Sequence, residues 1–136
     1  MKARGTYTVK KWNETTYDQI STVMKMTRAS VEYAFAGEIA GTGSVEYLMF
    51  YRHFDEKDQH ASSATYAGLI RFSGALAGRE GSCVMKDDGA FEAGTAASTL
   101  TVCEGSGTGS LAGIRGTGMY RADRNGYVCE IDFTLP

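Results

Sequence analysis

The feature that most constrains this chain is a short glycine motif that occurs three times. The pattern Gly-x-Ile/Leu-Ala-Gly runs from Gly37 to Gly41, from Gly74 to Gly78 and from Gly109 to Gly113. Each copy lies between two runs of residues that have the pattern of a β-strand. Glycine adopts the positive φ angles that tight corners need, and it allows a strand to bend sharply. The motif therefore predicts every second corner of an up-and-down meander, with the Ile or Leu of each copy closing one end of the core.

Between these corners, apolar and polar residues alternate with a period of two, which is typical of strands. The chain has 17 glycines but only one proline, Pro136, so nearly every residue can donate to a strand ladder. A meander of many strands is expected to close on itself, because closure removes exposed edges. The sequence predicts an all-β fold in a single domain, residues 1–136: a closed antiparallel barrel of about eight strands. The predicted strands are Gly5–Trp12, Arg28–Gly37, Ser44–Arg52, Thr65–Gly74, Ser82–Lys86, Ala97–Cys103, Gly116–Ala122 and Tyr127–Leu135.

Two polar stretches interrupt this pattern. Residues Asn13–Met26 contain too many β-branched residues for a convincing helix, so we interpret them as a loop or a further strand. Residues His53–Ser63 are predicted to form a long solvated loop at one mouth of the barrel. This loop contains His53, Asp55, Glu56, Asp58 and His60, but their spacing matches no metal site. We therefore predict no metal and no cofactor. A plain solvated loop is the favoured interpretation, and a lid over a ligand is favoured over a metal site.

Composition excludes several classes of function. The formal net charge is −2, so no basic surplus attracts nucleic acid. No apolar run approaches the ~20 residues that span a bilayer, and the N-terminus lacks the apolar core of a signal peptide. We expect a cytoplasmic protein without a membrane or nucleic-acid partner. Three cysteines, Cys83, Cys103 and Cys129, lie in apolar, strand-like sequence and are predicted to be buried, reduced thiols.

Three segments together resemble a known family. They are SVEYAFAGEIAGTGSVEYLMFY (30–51), TYAGLIRFSGALAGREGSCVM (65–85) and GSGTGSLAGIRGTG (105–118). In this order they are similar to domain-of-unknown-function family 3224, a family of small bacterial proteins. The glycine pattern around 104–120 also resembles that of allene oxide cyclase-like and dirigent-like barrels. The resemblance implies an eight-stranded barrel like that of allene oxide cyclase, with no established activity and no catalytic residue to carry over.

The bulkier face of the predicted strands should point into the barrel, because burying a large apolar side chain is worth roughly 1.5–3 kcal/mol. Four tyrosines, Tyr33, Tyr47, Tyr51 and Tyr66, lie on this face, and buried hydroxyls need partners. One interpretation is a simply filled core. The other is a pocket for a small apolar molecule, oriented by one or two phenols. The predicted ligand-binding residues are Tyr33, Phe35, Tyr47, Met49, Tyr66 and Phe72.

Glu46 and Arg71 lie on the opposite, outward face of this assignment. If their strands pair, the two side chains are expected to form an ion pair on the outer wall. If the faces are inverted, the pair would lie in the lumen, and Glu46 would be the candidate catalytic acid or base.

These observations predict a small β-barrel protein that binds a small apolar molecule in its lumen. One alternative is a cofactor-free isomerase or cyclase that acts on an apolar substrate, an idea based on analogy of fold. Another is a structural module with a filled core, forming a homo-oligomer through the outer wall, where Leu48 and Phe50 lie beside Tyr47 and Met49.

Overall fold

A computed structural model describes residues 1–136 as nine β-strands and one short 3-10 turn at Gln59–Ala61. None of its helical segments is long and apolar enough to cross a membrane. The strands are β1 (Lys2–Gln19), β2 (Lys25–Gly37), β3 (Ile39–His53), β4 (Ser63–Leu76), β5 (Arg79–Glu92), β6 (Thr95–Val102), β7 (Thr108–Gly109), β8 (Arg115–Asp123) and β9 (Gly126–Thr134).

Eight of the strands form a closed ring in the order β1-β2-β3-β4-β5-β6-β8-β9, and every neighbouring pair is antiparallel. The ring closes where Lys2–Thr6 of β1 pair with Val128–Asp132 of β9. The two-residue β7 lies in the long connection between β6 and β8 and pairs with β5. The predicted closed barrel of eight strands is therefore confirmed.

The three glycine motifs lie at the same end of this barrel. They occupy the β2–β3 corner, the β4–β5 corner and the β6–β8 connection, and all six motif glycines have positive φ angles. The central Ile39, Leu76 and Leu111 are fully buried and seal that end. Gly41 and Gly74 face each other across β3 and β4. Their backbones approach so closely that no side chain fits between them.

The core lies inside the ring, because alternate residues of each strand point inwards. Phe72 and Phe133 are among its largest fully buried side chains. The cysteines are unpaired; Cys83 and Cys129 are buried as predicted, whereas Cys103 is half-buried. Burial in apolar surroundings raises the pKa of both buried thiols to about 11, so they stay neutral at physiological pH.

The two hairpins beside the mouth are longer than the sequence predicts. Residues Asn13–Gln19 continue β1, and Lys25 and Met26 begin β2, so the segment interpreted as loop or strand is mostly strand. Beyond Thr6, β1 has left β9 and pairs with β2 alone. Likewise β5 continues to Glu92, where the sequence predicts an end at Lys86. The predicted loop between β3 and β4 is present, with one 3-10 turn inside it.

Candidate functional site

The barrel interior is divided into a filled half and an open half. Near the sealed end, apolar side chains leave a void of only about 20 Å³. Towards the opposite end lies a cavity of about 560 Å³, which we call the cup. Aromatic and aliphatic side chains line most of the cup. Its volume lies within the range of about 300–1,000 Å³ that is common for small-molecule sites.

The floor of the cup is a layer of hydrogen-bonded tyrosines. The Tyr47 hydroxyl lies 2.9 Å from that of Tyr33 and 3.0 Å from that of Tyr120. Tyr120 donates to the Tyr66 hydroxyl at 3.1 Å, and Tyr66 lies 2.6 Å from Ser98 Oγ. These hydroxyls come from five different strands. The floor therefore exists only because the ring is closed.

A buried carboxyl group lies directly beneath this floor. Asp87 is 0% exposed, and its Oδ2 accepts a hydrogen bond from the Tyr47 hydroxyl at 2.6 Å. Its Oδ1 has no hydrogen-bond partner. Burial raises the pKa of Asp87 to about 6, and the bond from Tyr47 opposes that shift. Burial also raises the pKa values of Tyr47 and Tyr120, which keeps both phenols neutral.

Asp87 is not among the site residues predicted from the sequence, although the alternation along its strand indicates that it is buried. On β5, Cys83, Met85 and Asp87 are buried in alternation, while Lys86 and Asp88 are exposed. The strand predicted for this segment ends at Lys86, so Asp87 lies just beyond its predicted end. Extending the period of two by one residue would have placed this carboxyl group inside the barrel.

A second carboxyl group lies at the mouth of the cup. Glu14 Oε2 accepts from Thr27 Oγ1 at 2.7 Å and from the Tyr51 hydroxyl at 2.8 Å. Its Oε1 accepts from the indole of Trp12 at 3.0 Å. Because three neutral groups donate hydrogen bonds to the Glu14 carboxylate, they hold this group in one position at the mouth.

The loop between β3 and β4 borders the same mouth. Phe54, Gln59 and Ser62 of this loop line the cup. The ammonium group of Lys25 lies 3.4 Å from the centroid of the Phe54 ring and 5.5 Å from that of Tyr51. The loop thus lies at the mouth of the barrel, where the sequence predicts it, and a role as a lid stays a prediction.

The structure brings four of the six predicted ligand-binding residues together and separates two. Tyr33, Tyr47, Met49 and Tyr66 line the cup. Phe35 and Phe72 line the small void beneath the floor instead, and Tyr33 borders both spaces. The binding role of the four cup residues stays a prediction, and Phe72 does not border the cup.

Glu46 and Arg71 lie on the outer wall, so the condition for a catalytic role in the lumen is not met. The predicted ion pair between them is wrong. Glu46 pairs with Arg28 of β2 at 2.9 Å, and this contact with a hydrogen bond from Ser30 lowers the pKa of Glu46. Register allows either contact: Arg28 lies two positions from Ser30, the β2 partner of Glu46, and Arg71 lies two positions from Leu69, its β4 partner. The carboxylate contacts Arg28.

Two further features bear on the sequence predictions. No group of three or more His, Cys, Asp or Glu side chains is arranged to hold a metal ion. Leu48 is 56% exposed on the outer wall. Association of copies through that wall stays a prediction.

Fold and site together define a class of protein: a closed eight-stranded β-barrel with one sealed end and a cup whose floor carries hydroxyl groups above a buried carboxyl group. The chain belongs to the DUF3224 family, described as proteins of unknown function, whose family model matches residues 3–135.

A solved structure shares this fold. It is a DUF3224-family protein of unknown function from Shewanella oneidensis MR-1, with 22% sequence identity and a TM-score of 0.74. The match covers 100% of this chain and 98% of that one. At this identity the likeness concerns the fold alone. None of the curated proteins matches the chain.

Proposed function

We propose that the protein binds a small, mostly apolar molecule in the cup. The observation that carries this proposal is the combination of a 560 Å³ cavity, walls rich in apolar and aromatic side chains, and a floor of tyrosine hydroxyls. Apolar walls supply affinity through desolvation, and a few fixed polar groups orient the ligand. Tyr33, Tyr47, Tyr66 and Tyr120 all border the cup, so a polar atom of the ligand would contact this layer.

Binding of the neutral fluorescent dye N-phenyl-1-naphthylamine tests this proposal. We expect saturable binding of one dye per chain, with enhanced dye fluorescence. Ala96 lines the cup on β6, so Ala96→Trp should occupy part of the cavity and weaken binding by about tenfold or more. The neighbouring Ala97 is exposed, so Ala97→Trp should bind like the wild type. Absence of saturable binding, or equal binding by the two variants, would contradict the proposal.

The pair formed by Asp87 and Tyr47 supports a second candidate, a cofactor-free isomerase that acts on an apolar substrate. A buried carboxyl group with a pKa of about 6 is suited to proton transfer near neutral pH. The Tyr47 oxygen can take a proton from a molecule in the cup while its own proton passes to Asp87, 2.6 Å away. The substrate would then be left as an enolate, and the proton would return to another carbon atom or to the same one.

Exchange of hydrogen for deuterium tests this second candidate. In D₂O, the protein should accelerate exchange at the carbon atoms beside the carbonyl group of 2-tetralone, measured by NMR. Tyr47→Phe should abolish the acceleration, since phenylalanine cannot relay a proton. Exchange that is no faster than in buffer, with dye binding intact, would leave the cup as a binding site only.

A further inference from the structure

The charges inside the barrel are all of one sign. The carboxyl group of Asp87 is buried beneath the floor of the cup, and that of the exposed Glu14 borders its mouth. No lysine, arginine or histidine lines either internal space. The hydrogen-bond partners of both carboxyl groups are neutral hydroxyl or indole donors. Below the mouth, the interior therefore contains one acidic group, Asp87, without a positive counterpart.

Aromatic rings add to this negative potential, because the face of a π-system is electron-rich. The rings line the cup from its floor to its mouth. On the floor, Tyr7 packs edge-to-face against Tyr33 and Tyr120, with ring centroids 5.2 and 5.5 Å apart. Surfaces of this kind, closed around a ligand, are known to bind quaternary ammonium groups.

The mouth of the cup already holds one ammonium group on an aromatic face. Lys25 Nζ lies over the Phe54 ring, and this ring packs edge-to-face against Tyr51. The chain thus provides an internal example of the contact that a cationic ligand would make. Because Lys25 repels a second cation nearby, the floor is the more favourable position for the charge of a ligand.

The interior side-chain polar atoms that lack partners lie at the floor or directly beneath it. They are Asp87 Oδ1 and the hydroxyl group of Tyr7. Tyr7 borders both the cup and the small void, and Asp87 is joined to the cup through Tyr47. A buried carboxyl group without a positive partner is costly to ionise. A cation on the floor would remove that cost.

We propose that the ligand of the cup is an organic cation, with an apolar or aromatic body and one ammonium group that lies on the tyrosine floor above Asp87. This inference rests on the proposed binding function and specifies the chemical class of its ligand. The body of the ligand fills the apolar walls. Tyrosine faces and the carboxylate of Asp87 stabilise its charge.

The proposal implies a coupling between ligand binding and the protonation of Asp87. The titratable groups that surround Asp87 from the other strands are Tyr7, Tyr33, Tyr47, Tyr66, Tyr120 and Cys129. Their pKa values are all raised, so they stay neutral below pH 8, and Asp88 on the same strand points to the outer wall. A bound cation favours ionised Asp87, so binding releases a proton. Affinity should therefore rise with pH through about 6, by up to about tenfold per pH unit.

A matched pair of probes tests the proposal directly. Benzyltrimethylammonium and neopentylbenzene have the same shape and differ by one positive charge. At pH 7 we expect the cation to bind at least about tenfold more tightly than its neutral isostere, measured by NMR titration. This advantage should shrink as the pH falls to 5. Affinity for neopentylbenzene should not change over that range.

Asp87→Asn should remove most of the advantage of the cation and all of its pH dependence. Glu46→Gln removes a carboxylate from the outer wall and should leave both affinities unchanged. Equal binding of the two probes by the wild type at pH 7 would overturn the inference, as would a preference for the cation that is unaffected by pH. Since both results come from the wild type, they do not depend on the folding of a variant. If the dye still binds in such a case, the proposed binding function stands and only the cationic class is wrong.

Discussion

The stability of the wild type relative to Asp87→Asn is expected to fall by about 3 kcal/mol as the pH rises from about 4 to about 7. Burial raises the pKa of Asp87 from 3.8 to about 6 in the folded protein. Between these two pH values, the folded chain holds a proton that the unfolded chain has lost. The stabilisation is therefore fully present below about pH 4 and is lost as the pH passes through about 6. Urea unfolding at a series of pH values measures the difference.

Two comparisons make this experiment specific. Carboxylates that form ion pairs, such as Glu46 and Glu130, have lowered pKa values and contribute a trend of opposite sign. Because this trend is common to both proteins, it cancels in the difference. Asp88→Asn removes the same charge from the adjacent, exposed residue and corrects for the change in net charge. A difference that stays constant with pH would show that burial does not raise the pKa of Asp87.

Gly74→Ala is expected to lower the free energy of unfolding by at least about 3 kcal/mol. Gly74 has a φ of 156°, and a Cβ at this position would lie 2.0 Å from the carbonyl oxygen of Ala40 and 2.8 Å from Gly41 Cα. Both obstacles are backbone atoms of the paired strand, so relief requires β3 and β4 to move apart. Chemical denaturation followed by circular dichroism measures the loss.

Gly78→Ala is the matched control for this substitution. Gly78 belongs to the same motif copy and has a φ of 81°, but nothing lies within 4 Å of a Cβ built there. Its cost should be about 1 kcal/mol, from the left-handed backbone alone. If the two variants lose equal stability, the close approach of β3 and β4 is not what the motif protects.

Local patterns predicted the barrel well, because the features that close it are local. Alternation located eight strands, and the three glycine motifs located their corners at one end. The motif glycines need positive φ angles that other residues avoid, so the sequence reports these corners directly. The ends of β1 and β5 were missed because polar residues at a barrel mouth weaken the alternation. At the mouth, β1 and β5 continue because neighbouring strands pair with them.

The site was less predictable, because its contacts join strands that are distant in sequence. Tyr47 and Asp87 are 40 residues apart, and Tyr47 and Tyr120 are 73 apart. Alternation placed Tyr33, Tyr47 and Tyr66 inside the barrel, but it could not show that their hydroxyl groups meet in one layer. Nor could it divide the predicted binding residues between the cup and the sealed half. For Glu46, Arg28 and Arg71 both lie on diagonal positions of neighbouring strands, and alternation does not show which of them the carboxylate contacts.

The junction between β1 and β9 has a consequence for how the protein is made. Its ladder includes only Lys2 to Thr6 of β1. It joins residues that are distant in sequence, such as Arg4 and Glu130, which are 126 positions apart. During synthesis, the first strand therefore waits for the last to leave the ribosome. Until then the nascent sheet has two open edges, and the cup is unformed. Late ring closure of this kind favours slow folding.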